Sequence, residues 1–269
     1  MAEATTAQRE ADRRRSEPGP PSSRPPRRRR WLPGRRLAVV LAVLAAALGG
    51  FGGWALYGSD WLRIEHVSVR WRDDGPRNLT RDQVLEAAGV PLDSPMISLD
   101  KDAIRRRLLD RLPRLESVEV VRAWPHGVGL RLTEREAEAL IPVGDRYLEV
   151  DEDGVRFGEV AEPIDGVPLL ELDLDEGPGL RRFGEDGIRR EAVAVALSLP
   201  DAVREDLRTI RASSFDSITL ELTGDRTVVW GSSEQPEAKA EALAAVMEAA
   251  GDARHFDVSA PTVPAASNG

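Results

Sequence analysis

The sequence predicts an α+β protein: a single N-terminal transmembrane helix, then an extracytoplasmic module and a mixed β domain with a C-terminal helix and edge strand. Three observations carry that reading. Leu37–Tyr57 is a run of 21 residues without a charge, arginines crowd the side before it, and beyond it period-two apolar segments alternate with short capped helices. A helix of that length rises about 31 Å at 1.5 Å per residue, enough to cross the hydrocarbon core of a bilayer. Arg24, Arg27, Arg28, Arg29, Arg30, Arg35 and Arg36 precede it. Positive charge beside a membrane helix stays cytoplasmic, so the N-terminus is expected inside and everything from Gly58 onward outside. Trp54, Tyr57 and Trp61 stand where an interfacial aromatic belt belongs. A cleaved signal peptide would carry a shorter apolar stretch, so an uncleaved single-pass anchor in the plasma membrane is the better reading.

Residues 1–36 hold 11 Arg against 4 acids, a net of +7, while the whole chain is −9 and the remainder therefore −16. Pro18, Pro20, Pro21, Pro25 and Pro26, with few apolar neighbours, leave that tail nothing to fold around, and it is expected to be a disordered cytoplasmic segment. Its charge sets topology and also suits contact with anionic headgroups. The acidic exported part is a poor nucleic-acid binder, because phosphate contacts need clustered Lys and Arg. The absence of cysteine excludes disulfides and thiol chemistry. Gly49 and Gly53 form a G-x-x-x-G that permits close helix approach, although small residues are common in membrane helices anyway.

The first exported module is expected over 62–133. Ile64, Val67, Val69 and Trp71 read as a strand. Thr80 and Gln83 make a capping-box signature for a helix closed by Gly89. Asp100 caps a second helix whose Ile104, Leu108 and Leu112 share a face, and Pro113 ends it. Val118 and Val120, the loop Trp124-Pro125-His126-Gly127, then Val128, Leu130 and Leu132 read as a β-hairpin with one apolar face. The order β-α-α-β-β resembles a POTRA module. Arg122, Trp124 and Pro125, followed by Leu130-Arg131-Leu132-Thr133-Glu134-Arg135, resemble the R-x-W-P…I-x-V-x-E-R signature of the FtsQ/DivIB cell-division family, in its actinobacterial form. That family usually continues with Pro and Ala, whereas this chain has Glu136-Ala137-Glu138-Ala139. Trp124-Pro125 also has a plain structural reading, a corner whose Trp lids the end of the core.

The second module is expected over 134–259. Tyr147–Val150 and Val155–Phe157 flank Asp151-Glu152-Asp153-Gly154, which reads as a turn; a calcium loop would need further ligands at set spacing. Ile188–Leu199 reads as a helix stopped by Pro200, and Ile218–Leu222 with Val228–Trp230 as a hairpin. Ser233 and Pro236 open a helix with Ala238, Ala242, Val246 and Ala250 on one stripe. Phe256–Ser259 is the last strand, and residues 260–269 are expected to be a frayed, disordered tail. Val150-Asp151…Gly154-Val155, Val167–Leu170, the pair Trp230-Gly231 with Lys239, and Phe256-Asp257-Val258-Ser259-Ala260-Pro261 each resemble the same family's motifs in order.

No G-x-S-x-G, phosphate loop or H-E-x-x-H is present, and His66, His126 and His255 lack ligand-spaced partners, so no enzyme, cofactor or metal is expected. The resemblance implies a non-enzymatic, single-pass membrane scaffold of the division septum. Its partners would be FtsB/DivIC-like and FtsL-like single-pass coiled-coil proteins, and its task to help recruit and regulate septal peptidoglycan synthesis. It places partner binding on Phe256, Asp257, Val258, Ser259 and Ala260, with Lys239 as a candidate ion-pair donor. An edge strand offers unpaired backbone groups to an extended peptide, but Phe256 and Val258 could equally serve only to pack inward; both readings stand. Lys239 is otherwise an ordinary solvated helix lysine. The alternative function is a membrane-anchored envelope sensor or stabiliser without a division role.

Overall fold

The computed structural model describes residues 34–57, 62–72, 75, 77–174 and 178–268. The arginines before Gly34, the beginning of the chain and Trp61 lie outside the described residues, as does the side chain of Tyr57. Helix α1 (Arg35–Tyr57) carries the apolar run; by length and composition it can cross a membrane, with a mean hydropathy of 2.1 over Arg35–Trp54. Leu37, Val40, Leu44 and Leu48 on its surface are all exposed, an arrangement that suits a lipid environment.

The β-α-α-β-β order expected from the sequence is present. Strand β1 (His66–Trp71) is followed by α2 (Arg81–Ala88), a 3-10 turn (Met96–Ser98), α3 (Lys101–Arg111), β2 (Leu115–Ala123) and β3 (Gly127–Glu134). Local chemistry explains each helix end. The Thr80 and Gln83 side chains each accept from the other's backbone N–H, Gln83 N at 3.3 Å and Thr80 N at 2.8 Å. Gly89 closes α2 at φ 52°, and Asp100 Oδ1 accepts from Ala103 N at 2.9 Å to start α3. The three strands form one sheet ordered β1-β3-β2, with β1 parallel and β2 antiparallel to the central β3. Both helices cover one face, burying Val84, Ala88, Ile104 and Leu108 against Val120, Leu130 and Leu132.

Strands β4 (Ala139–Val143), β5 (Arg146–Val150), β6 (Arg156–Val160) and β7 (Leu169–Leu172) come next. Helices α4 (Pro178–Ser198) and α5 (Asp201–Asp206) lead into β8 (Leu207–Ser214), β9 (Ser217–Leu222) and β10 (Arg226–Gly231). Helix α6 (Pro236–Ala249), β11 (His255–Asp257) and β12 (Ala265–Ser267) complete the chain. The strands build one nine-stranded sheet ordered β12-β11-β10-β9-β8-β7-β4-β5-β6. Helices α4 and α6 bury one face: Ile188, Ala192, Val195 and Leu243 pack on Leu170, Ile210, Leu220, Val228 and Trp230. On the opposite face β7, β8 and β9 carry charged residues, with Arg211 bridging Glu171 at 2.9 Å and Glu221 at 3.4 Å.

Three expectations are corrected here. The segment after Pro261 is not frayed throughout: Ala265–Ser267 forms β12, antiparallel to β11, because its three small residues complete the hydrogen bonding of an otherwise open strand. On α6, Ala242, Val246 and Ala250 pack against the core as expected, but Ala238 is exposed and the buried positions are Lys239 and Leu243; Gln235, at φ 54°, rather than Ser233 precedes the first turn, which Pro236 opens. Trp124 is 51% exposed and does not lid the core; that end is closed by the fully buried Ile64 and Met96.

Candidate partner-binding edge

Two structural needs shape the end of the nine-stranded sheet. Trp230 is fully buried, and Gly231 follows at φ 79°, a left-handed conformation that a side chain strains. A Cβ on Gly231 would stand 3.1 Å from the Cβ of Ser259, so the Trp-Gly pair lets the returning chain lie close. That chain is β11, parallel to β10, held by Thr227 N to Arg254 O at 2.7 Å and by Val258 N to Val229 O at 3.0 Å. Phe256 and Val258 point into the core at 2% and 0% exposure, while Asp257, Ser259 and Ala260 are exposed. Asp257 Oδ1 accepts from Ser259 N at 2.9 Å and from Ser259 Oγ at 2.7 Å, which turns the chain out of β11. The five residues Phe256 to Ala260 are thus split between a buried base, Phe256 and Val258, and an exposed rim, Asp257, Ser259 and Ala260.

This strand is not an open edge. β12 lies against it in the register His255↔Ser267, Phe256↔Ala266 and Asp257↔Ala265, and Arg254 N donates to Ser267 O at 3.1 Å. All three β12 residues are exposed, so backbone bonding rather than side-chain burial holds them there.

Lys239 is buried at 2% exposure, not displayed on the solvated face of α6. Its Nζ donates to Ser232 O at 2.7 Å and Trp230 O at 3.1 Å and lies 6.0 Å from the centre of the Trp230 ring. Burial pushes its pKa down, partly countered by Glu234. A buried ammonium satisfied by two carbonyls ties α6 to the end of β10; a partner carboxylate would have to open those contacts to reach it.

The other motif residues lie apart from this edge and brace the first module and its junction with the second. Arg122 Nε donates to Met96 O at 3.1 Å and its Nη2 to Leu99 O at 2.8 Å, fixing the 3-10 turn. Trp124 and Pro125 form the β2–β3 turn through a cis peptide bond. Glu134 accepts from Asn78 N at 3.1 Å and Leu79 N at 3.2 Å. Arg135 pairs with Asp151, and beside it Arg114 Nη1 donates to Glu149 Oε1 at 3.1 Å. Glu149 and Asp151 are each 3% exposed, and Arg135 N donates to Arg114 O at 2.8 Å, so two adjacent arginines clamp two buried carboxylates. Neither Arg114 nor Glu149 stood out in the sequence; the available signal was an acid inside the apolar strand Leu148-Glu149-Val150. Asp151, read as a turn residue, does hold that turn, accepting from Val155 N at 2.7 Å. Among the described residues no group of three or more His, Asp or Glu could hold a metal ion.

An apolar membrane-length helix followed by a three-stranded module and a sheet-rich module defines a membrane-anchored POTRA protein. The family described as "POTRA domain, FtsQ-type" matches residues 62–135, and "Cell division protein FtsQ/DivIB, C-terminal" matches 139–259. The chain is 49% identical over 273 residues to the Streptomyces collinus protein named cell division protein FtsQ, the match covering 99% of each chain. Its likeness to the Streptomyces coelicolor protein of the same name is 48% over 272 residues, again 99% of each. A Mycobacterium leprae relative of that name is 32% identical over 231 residues, spanning 86% of this chain and 63% of the relative. The chain belongs to the FtsQ family of cell-division proteins.

Proposed function

We propose that this protein is a non-enzymatic scaffold of the division septum, anchored by α1 with its N-terminus in the cytoplasm. Its two exported modules hold FtsB/DivIC-like and FtsL-like single-pass proteins and so help recruit and regulate septal peptidoglycan synthesis. The observation that supports it is the β11 end of the nine-stranded sheet. There a strand rests on a buried base, Phe256 and Val258, and turns its remaining backbone groups to the side where the three exposed residues of β12 pair with it. Arg254 O and Val258 N bond toward β10, and strand alternation aims the backbone of Asp257 the other way. Asp257→Pro removes that outward N–H without touching the β10 ladder. The full-length variant, folded by circular dichroism, is expected to lose capture of the FtsB/DivIC-like partner in membrane pull-downs while a fluorescent fusion of the wild type marks mid-cell. Undiminished capture would refute the assignment of the edge, and a uniform peripheral signal would refute the septal role.

A further inference from the structure

We infer that β12 is a placeholder strand: the binding edge is β11, masked by residues 265–267 of the same chain, and an extended segment of the partner occupies it by displacing them. This rests on the edge-binding reading above and adds where the incoming strand lies and what it must remove.

The occupant is indicated by what already sits there. β11 accepts an antiparallel strand in a defined register, His255↔Ser267 through Asp257↔Ala265, so its outer side is competent for backbone pairing. The strand filling it is poorly secured. It is three residues long, Ala265, Ala266 and Ser267 are all exposed, and the preceding Val263 is 76% exposed. None of these side chains is buried against the core, so the contact consists of a short backbone ladder. β11 itself is secured from below, with Phe256 at 2% and Val258 at 0% exposure, and by its ladder to β10. Removal of β12 therefore exposes a rigid edge rather than unravelling it. The path into β12 is short: the Asp257–Ser259 turn and the bond from Val263 N to Ala260 O at 3.0 Å fold the chain back over itself. A partner segment that pairs with the same residues and also buries side chains outcompetes such a strand although the strand is tethered. An open edge is an aggregation hazard, and a weak cis strand covers it until that partner arrives.

If the tethered strand covers β11 about nine-tenths of the time, apparent partner affinity is reduced about tenfold. The test compares the full-length chain in nanodiscs with the same chain ending at Pro261 and with Ala265→Pro, which keeps the length but removes the N–H that faces β11 opposite Asp257. Binding of the soluble segment of the FtsB/DivIC-like partner is measured by fluorescence anisotropy. Both altered chains are expected to bind about tenfold more tightly. Equal or weaker binding overturns the inference, since β12 would then be a bystander or itself the docking strand. A second probe, a fluorescein-labelled peptide of residues 262–268, separates the two levels of argument. Titrated to millimolar concentration, because a strand held about nine to one in cis pairs weakly in trans, it should bind the chain ending at Pro261 about tenfold more tightly than the full-length chain, whatever the partner does. If the partner binds neither chain, the edge-binding reading fails; if the peptide does not bind the shortened chain, masking by β12 fails.

Discussion

The arginine clamp between the POTRA sheet and the nine-stranded sheet supplies the most discriminating stability experiment. Arg114→Met removes the guanidinium that faces Glu149, whose side chain is 4% exposed. Gly158 lies so close that a Cβ there would meet both Glu149 Oε2 and Arg114 Nη2, which leaves the carboxylate no room to swing toward water. An uncompensated buried charge of this kind costs about 3–5 kcal/mol. The reverse change, Glu149→Leu, is milder, because the Arg114 side chain is 19% exposed and can rehydrate; about 1–3 kcal/mol is expected. The double variant Arg114→Met/Glu149→Leu replaces the pair with apolar groups and should fall within about 1 kcal/mol of wild type. Guanidinium denaturation of the full-length protein in detergent, followed by tryptophan fluorescence, closes the cycle with a coupling of at least about 3 kcal/mol. A loss below about 1 kcal/mol for Arg114→Met would refute the reasoning, since that is the worth of a solvated surface pair.

Gly231→Ala should cost about 2 kcal/mol by chemical denaturation, from left-handed strain and from crowding against Ser259; adding Ser259→Gly should relieve only the crowding. Asp206 accepts from Thr223 Oγ1 and from Arg226 Nη2, each at 2.6 Å, and these hold its carboxyl below the usual value of 3.8. Its contribution is therefore present above that value and lost as pH falls through the lower folded pKa, so wild type and Asp206→Asn should differ in urea midpoint at pH 7 and converge toward pH 2. Lys239 has linkage of the same sign in a higher window: with its folded pKa depressed by burial, the unfolded chain binds more protons between that value and 10.5, and stability rises with pH there. The stability of wild type relative to Lys239→Met should accordingly improve between pH 7 and pH 10, measured by the same midpoints.

Much of the first module is legible in the sequence because its signals are local. The capping box at Thr80, the cap at Asp100 and the alternation of Val128, Leu130 and Leu132 depend on neighbours a few residues apart, and each appears where expected. The second module hides more. β8 (Leu207–Ser214) carries arginines on its solvent face, which dilute its apolar alternation, and β7 is only four residues long. β12 has no apolar residue larger than alanine, so nothing but a nearby unpaired edge makes it a strand. The same distinction governs the candidate site. Phe256–Ala260 is visible as an alternating segment, whereas the burial of Lys239 depends on α6 rotating toward Trp230, and the partners of Glu149 and Asp151 lie 35 and 16 residues away.

The parallel pairing of β1 with β3 has a consequence of scale. Because His66 stands beside Gly127 and Trp71 beside Leu132, the chain enters this small sheet at one pole and departs from the other. Six residues of extended chain at about 3.3 Å each separate those poles by roughly 20 Å. The POTRA sheet thereby serves as a spacer strut: a hairpin-like antiparallel return would have brought the chain back to its starting level, whereas this topology carries everything that follows a full strand length onward.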